Sequence, residues 1–133
     1  MPNGPASWSA SERALFTGEG SLTLHAGDDR PGHGQSVELG MVVVRQQLFV
    51  RAYRGTGSRW YRAALTAGIG WIWAGGSTWQ VALSSADDQP HGDIDSAYQT
   101  KYGHPGAAAA SLVLSPAAHK ATLRISPHRE HQD

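Results

Sequence analysis

The chain contains no cysteine, and this absence removes several kinds of chemistry at once. Without thiols there is no disulfide framework, no thiolate metal site and no cysteine nucleophile. The chain also lacks a surplus of either charge, because 11 Lys and Arg residues balance 11 Asp and Glu residues. General nucleic-acid binders and anionic-membrane binders carry a basic surplus, so the composition argues against both classes.

Long hydrophobic runs are missing as well. No stretch approaches the roughly 20 apolar residues of a membrane span, and the opening MPNGPASWSASER lacks the basic start and hydrophobic region of a secretory leader. What is present is 133 residues, 40% of them hydrophobic and 17% charged, which is typical of a globular protein. We expect one cytoplasmic domain over residues 1–133, with the polar ends, 1–6 and 128–133, mobile.

Capping residues and glycine stops predict four short helices. The first follows Ser9, whose capping box is completed by Glu12, and it ends at Gly18. The second is capped by Ser58 and stopped by Gly68. This second helix is predicted over residues 59–67, the third over 93–102, and the fourth over 116–120 after a cap at Ser115.

Alternating or β-branched apolar residues predict seven strands. They lie over residues 22–26, 37–44, 48–54, 69–74 and 77–83, at the end of 106–115, and over 122–126. The Gly75–Gly76 pair predicts a tight turn between the fourth and fifth strands. We expect this sheet to close or half-close into a barrel, because closure removes the edges of a sheet too large to leave open.

Four blocks of sequence carry a resemblance to a known family. They are LFVRAYRGTGSRWYRAA, AGG before a strand, IDSAYQTKYG and ATLRISP, in that order over residues 48–126. They resemble an uncharacterised bacterial domain family of the flavin-binding split-barrel superfamily, which includes pyridoxamine-phosphate-oxidase-like and deazaflavin-dependent nitroreductase-like proteins. The resemblance implies a mainly β (α+β) six-stranded split β-barrel, often a homodimer, with FMN or deazaflavin bound in a groove of some relatives. It implies no particular activity.

Arginine is concentrated in LFVRAYRGTGSRWYRAAL, a stretch with no carboxylate. Its four arginines are Arg51, Arg54, Arg59 and Arg62. Arg59 and Arg62 are expected on one face of a helix that begins at a glycine-rich turn, where positive side chains oppose the helix dipole. A bound anion would remove that conflict, since helix N-termini and arginine forks both bind phosphate. The alternative is structural pairing with carboxylates such as Asp93 or Asp95, or with a second subunit.

Tryptophan is concentrated in the predicted hairpin. Trp71 and Trp73 alternate along one strand, so they share a face of the sheet. If that face is inward, the rings would line a cavity suited to an aromatic or polyketide-like ligand. If it is outward, they serve packing. Aromatic residues concentrate at interface cores, and together with the resemblance they lead us to expect a homodimer.

The third predicted helix carries a tyrosine–lysine pair. Tyr98 and Lys101 lie on or next to one helical face with Asp95 and Tyr102. A lysine can lower the pKa of a neighbouring tyrosine and make it a general acid, so Tyr98 and Lys101 are the catalytic candidates. The alternative is that the pair closes a barrel end through ordinary hydrogen bonds to the backbone.

Other catalytic motifs are missing. The seven histidines form no helical His-x-x-x-His pair, so we expect no metal. The sequence contains no G-x-S-x-G, so it does not indicate a hydrolase.

Two functions from different classes remain. The first is a small-molecule oxidoreductase with FMN or deazaflavin in the barrel groove, where the four arginines hold the phosphate and Tyr53 or Trp60 flanks the ring. The second is a cofactor-free barrel for an apolar metabolite. It would be a carrier, or would catalyse cyclisation or isomerisation, with Tyr98 or a histidine moving protons.

Overall fold

The computed structural model describes residues 7–27, 36–86, 89–103 and 116–128. The strands in these ranges are β1 (Leu22–Ala26), β2 (Val37–Leu39), β3 (Met41–Val44), β4 (Gln47–Arg51), β5 (Ile69–Ala74), β6 (Ser77–Ser85) and β7 (Thr122–Pro127). The helices are α1 (Ala10–Gly18), α2 (Arg59–Ala67), α3 (His91–Tyr102) and α4 (Pro116–Lys120). The strand predicted near the end of 106–115, the cap at Ser115, the tail 1–6 and all of the tail 128–133 except His128 lie outside the described residues.

The strands form one antiparallel sheet in the order β2-β1-β5-β6-β7-β4-β3. Its two edge strands, β2 and β3, are consecutive in the chain and are joined by Gly40 alone. The sheet must therefore curl until its edges meet, which makes it a nearly closed barrel with short helices, as the split-barrel prediction requires. The described residues form seven strands and not six, because the predicted strand 37–44 breaks at Gly40 and its two halves pair at opposite ends of the sheet order, β2 with β1 and β3 with β4.

The barrel interior is filled by one face of each strand. Leu24 and Ile72 are opposite each other on β1 and β5, and both are less than 3% exposed. Leu48 of β4 and Ile125 of β7 are likewise paired and fully buried. A small barrel packed in this way is a solid core and not a pore, so a ligand site must lie at an opening of the barrel.

Helices close the two ends of the β5–β6 hairpin. At the turn end, Phe16 of α1 packs edge-on against Trp8 and Trp79, with ring centroids 4.8 Å and 5.1 Å apart. At the other end, α2 buries Tyr61 and Ala64, and the backbone N–H of Leu83 donates to the carbonyl of Gly68, just after α2. The third helix instead packs on the outer face of β3 and β4, with Ile94 and Tyr98 against Val42 and Phe49.

Local sequence signals predicted several of these boundaries. The capping box of α1 is confirmed, since Ser9 Oγ accepts from the Glu12 N–H and Glu12 Oε1 accepts from the Ser9 N–H. The tight turn of the β5–β6 hairpin is confirmed, with φ of 56° and 85° at Gly75 and Gly76. Three boundaries were misplaced by two or more residues: α3 begins at His91, two residues early, β4 ends at Arg51, three residues before the predicted end, and β6 ends at Ser85, two residues after it.

Candidate functional site

A groove of about 820 Å³ opens between β1 and β2 on one side and the start of α2 on the other. The groove lies beside the edge strand β2, and the chain that leaves β4 towards α2 forms its other side. Its lining comes from four consecutive residues around β2, from the inner face of β1, and from the segment that leads into α2. The lining residues are Leu24, Ala26, Ser36, Val37, Glu38, Leu39, Arg51, Tyr53, Arg54, Gly57, Ser58, Arg59, Trp60 and Ala63.

One wall of the groove is positively charged. Arg54 and Arg59 are both exposed, and among the described residues neither forms an ion pair. The guanidinium of Arg54 lies 5.7 Å from the centroid of the Tyr53 ring. On the opposite wall the exposed carboxylate of Glu38 accepts a hydrogen bond from Ser21 Oγ at 2.6 Å. Among the described lining residues, two arginines without an ion pair therefore face one carboxylate, an excess of positive charge that favours an anion.

The first turn of α2 adds to this positive potential. Ser58 occupies the N-cap position, as predicted, but its side chain makes no capping hydrogen bond, and no acidic residue lies in the first turn. The N–H groups of a helix's first turn have no intrahelical partners, so those of Arg59 and Trp60 are available to solvent or to a ligand. A helix N-terminus of this kind favours negative charge.

Arg51 has a different role from its neighbours. Its side chain is fully buried, and its NH1 donates to Asp95 Oδ1 at 2.5 Å. Its Nε donates to Thr122 Oγ1 at 3.0 Å, and its NH2 lies 3.1 Å from His91 Nδ1. The structural pairing that the sequence left open for the arginines therefore applies to Arg51, whose charge is balanced by Asp95 although the residue borders the groove.

Two histidines complete the surroundings of Asp95. His119 Nε2 lies 3.0 Å and 3.1 Å from the two carboxylate oxygens. The rings of His91 and His119 are stacked in parallel, with centroids 4.7 Å apart. The contact from Arg51 to His91 Nδ1 identifies this nitrogen as an acceptor, because a guanidinium only donates. This partly buried ion pair with its histidines fastens α3 and α4 to the end of β4.

The Tyr98–Lys101 pair lies outside the groove, on the outer side of the barrel. The Tyr98 hydroxyl donates to the carbonyl of Gly40 at 3.3 Å, and Lys101 Nζ donates to the carbonyls of Phe16 and Met41, each at 2.8 Å. Burial raises the pKa of Tyr98 well above its ordinary value, and burial lowers the pKa of Lys101 to about 8. The raised tyrosine pKa is the opposite of what an activated general acid requires, and the bonds are those of the barrel-closing alternative.

Two of the predicted ligand residues face away from the barrel interior. Trp71 and Trp73 alternate with the buried Gly70, Ile72 and Ala74 along β5, so both rings project from the outer face of the sheet. Neither borders the groove, and neither does Arg62, which is exposed one turn along α2. The structure therefore brings together Arg51, Tyr53, Arg54, Arg59 and Trp60 and leaves out Arg62, Trp71 and Trp73.

Sequence reasoning missed the other wall of the groove and the two histidines. The apolar residues of β1 and β2 were recognised only as strand residues, and nothing local marks them as lining a ligand site. The pair His91 and Asp95 did carry a signal, since residues four apart share a helix face. His119 carried none, because it approaches Asp95 from 24 residues away. Within the described ranges, no group of three or more acidic or histidine side chains is arranged to hold a metal ion.

The comparisons with known proteins add a family to this description. Residues 19–125 match the family described as "Uncharacterized protein conserved in bacteria (DUF2255)", so the chain belongs to that family. A search of curated proteins found no significant match. Among solved structures, the chain is similar to a FAD and heme binding protein from Mycobacterium smegmatis, with 20% identity and a TM-score of 0.49 over 90% of this chain and 65% of that one. None of the described helices is long and apolar enough to cross a membrane.

Proposed function

For this member of the bacterial family, we propose that the groove binds an anionic small molecule with a large apolar or aromatic body, and that the ligand is FMN or a deazaflavin serving as a redox cofactor. The observation that carries the proposal is the pairing of an uncapped α2 N-terminus with two arginines, Arg54 and Arg59, that have no carboxylate partner in the described part of the chain and lie beside an apolar wall. The flavin identity also draws on the resemblance of residues 48–126 to flavin-binding split-barrel proteins.

The donor set fits a phosphate. Arg54 and Arg59 each offer a fork of N–H groups, and the first turn of α2 offers backbone N–H groups beside them. Hydrogen bonds to charged groups contribute roughly 1.5–3 kcal/mol each, and less where they are exposed to solvent, so the two forks would add to the contribution of the helix N-terminus in holding a phosphate. Neither arginine would have to break an ion pair with a described residue first.

The rest of the groove fits a flat apolar body. Leu24, Val37 and Leu39 form the wall opposite α2, and Trp60 and Tyr53 supply ring surfaces on the α2 side. Trp60 is held in place, since it packs on the barrel core and lies edge-on to Tyr61 at 6.0 Å. The volume of about 820 Å³ falls within the range of about 300–1,000 Å³ usual for ligand sites. A bound flavin would supply two-electron transfer, while the residues of this chain would bind it, orient it and exclude water.

A second candidate is a cofactor-free barrel that binds an apolar metabolite, either as a carrier or as a cyclase or isomerase. The apolar wall of β1 and β2 favours it. The tryptophan hairpin no longer does, because Trp71 and Trp73 face outward. An uncharged ligand would also make no use of the positive charge on one side of the groove, so we rank this candidate second.

Absorbance distinguishes the two candidates. We expect the purified protein to be yellow, or to become so after incubation with FMN or a deazaflavin and removal of free cofactor. Bound flavin with a perturbed spectrum is the expected result. The contrary result is a colourless protein that retains neither cofactor and whose Trp fluorescence is quenched when an uncharged apolar compound is added. It would contradict the proposed cofactor and favour the second candidate.

A further inference from the structure

The groove wall formed by β2 is a short edge strand, whose Val37 and Leu39 pack against the barrel core and whose Glu38 accepts a hydrogen bond from Ser21 Oγ. The strand is only three residues long, Val37–Leu39, and it lies at an edge of the sheet with β1 as its one strand partner in the described part of the chain. Ser36 and all three residues of the strand border the groove. The position of β2 relative to α2 therefore sets how wide the groove is.

The end of β2 is fastened from outside the barrel. Leu39 is followed by Gly40 and Met41, and α3 contacts both. The Met41 N–H donates to the Tyr102 hydroxyl at 2.9 Å, and the Met41 carbonyl accepts from Lys101 Nζ at 2.8 Å. The same hydroxyl lies 3.0 Å from the Gly20 carbonyl, just before β1. One tyrosine thus joins the bend after β2 to the chain just before β1, the strand with which β2 pairs.

The packing at this bend is close. A Cβ on Gly40 would lie 3.2 Å from both Cζ and the hydroxyl oxygen of Tyr102, so the ring rests directly on the backbone. Lys101 Nζ reaches across to the Phe16 carbonyl as well. Burying an amine costs stability unless its bonds compensate, and burial lowers the pKa of Lys101 to about 8. A residue kept for packing alone would be apolar.

We propose that β2 is a movable wall of the ligand groove, and that Tyr102 and Lys101 are positioning residues that fasten it at Gly40 and Met41. The proposal rests on the groove being the ligand site. In it, the hydroxyl and the amine touch no ligand. They hold the bend, the bend places Val37–Leu39, and the strand presents its side chains to the bound molecule. Release of the bend lets β2 leave β1 and opens the groove.

Hydrogen exchange of the free protein tests the fastening without any ligand. Tyr102→Phe keeps the ring on Gly40 but leaves the Met41 N–H without its acceptor. The matched control is Tyr61→Phe, which removes a hydroxyl that bonds the Lys120 carbonyl at 3.3 Å, away from β2. We expect amides of residues 36–41 to exchange about tenfold faster in Tyr102→Phe, which corresponds to the loss of one net hydrogen bond of about 1.4 kcal/mol. The β5–β6 hairpin should be unchanged, and Tyr61→Phe should not affect β2.

Unchanged hydrogen exchange of β2 in Tyr102→Phe would overturn the fastening role of Tyr102. An equal rise in the exchange rates of β2 and of the β5–β6 hairpin would overturn it too, because it would show global destabilisation. A second measurement adds saturating FMN to the wild type. Slower exchange in residues 36–41 alone supports β2 as a wall of the occupied groove, whereas FMN binding with unchanged β2 exchange overturns that part. If FMN does not bind at all, the proposed cofactor is wrong, and the free-protein comparison still decides whether Tyr102 fastens β2.

Discussion

The guanidinium of Arg51 and the carboxylate of Asp95 meet at 2.5 Å between the end of β4 and α3, with the arginine side chain fully buried. The two residues are 44 positions apart in the chain. Their pairing separates Arg51 from Arg54 and Arg59, which are only a few residues away in the sequence but have no ion pair among the described residues. One arginine of the cluster is paired within the fold, and we propose that Arg54 and Arg59 bind the ligand.

Removing the charge of Asp95 should therefore destabilise the protein. Asp95→Asn leaves a buried guanidinium without its counter-charge, and breaking fully buried pairs costs about 3–5 kcal/mol. Because the Asp95 side chain is 28% exposed, we expect a loss of about 2–4 kcal/mol in the free energy of unfolding, measured by urea denaturation. The control is Asp93→Asn on the same helix, whose pair with Arg45 is exposed and should cost no more than about 1 kcal/mol. Equal losses in the two variants would contradict the structural role of Arg51.

Lys101 gives the stability a specific pH dependence. Burial lowers its pKa from 10.5 to about 8, so between about pH 8 and 10 the unfolded chain holds a proton that the folded chain has released. The free energy of unfolding then rises with pH through that window. Lys101→Arg stays charged throughout and should lack this rise.

Urea denaturation of both proteins at about pH 7, 8.5 and 9.5 measures the difference. We expect the free energy of unfolding of the wild type to increase relative to that of Lys101→Arg as the pH rises. Burial raises the pKa of Tyr98 and Tyr102, which lowers stability above about pH 10 in both proteins, because the unfolded tyrosines ionise first. A difference that stays constant from pH 7 to 9.5 would show that the Lys101 amine keeps its proton in the folded state.

We expect a homodimer. Light scattering at micromolar concentration should give twice the 14.2 kDa of one chain. Trp73 projects from the outer face of β5, opposite Thr23 and Thr78, and large aromatic residues are enriched at interface cores. Trp73→Thr should therefore weaken the dimer while keeping strand propensity. A wild-type monomer mass would refute the dimer, and a dimer unaffected by Trp73→Thr would place its interface elsewhere.

Local features were predictable from sequence where the cause is local. The Ser9–Glu12 capping box, the Gly75–Gly76 turn and the stop at Gly68 each act within a few residues, and each was found where expected. The break of the strand at Gly40 was not predictable, because the hydroxyl that occupies the bend belongs to Tyr102, 61 residues away from Met41.

The candidate site was predictable only in part for the same reason. Alternation shows that Trp71 and Trp73 share a face but not which face, and the outcome depended on the small Gly70 and Ala74 facing the interior of a narrow barrel. The arginine cluster predicted positive charge at the start of α2. Asp95, which is distant in sequence, determines that Arg51 is the arginine whose charge is neutralised. The closing of the barrel determines where the β2 wall lies.

The central claim is that Arg59 serves a ligand and not the fold. The most direct test is a fluorescence titration with FMN, together with thermal unfolding, on wild type, Arg59→Ala and Arg62→Ala. Arg62 is the matched control, with the same charge on the same helix but outside the groove lining. We expect Arg59→Ala to bind at least about tenfold more weakly, the loss of one charge-assisted contact, with an unchanged or slightly raised melting temperature, because Arg59 opposes the helix dipole. Arg62→Ala should bind like wild type. Wild type that does not bind FMN, or Arg59→Ala that binds normally while losing stability, would contradict the account.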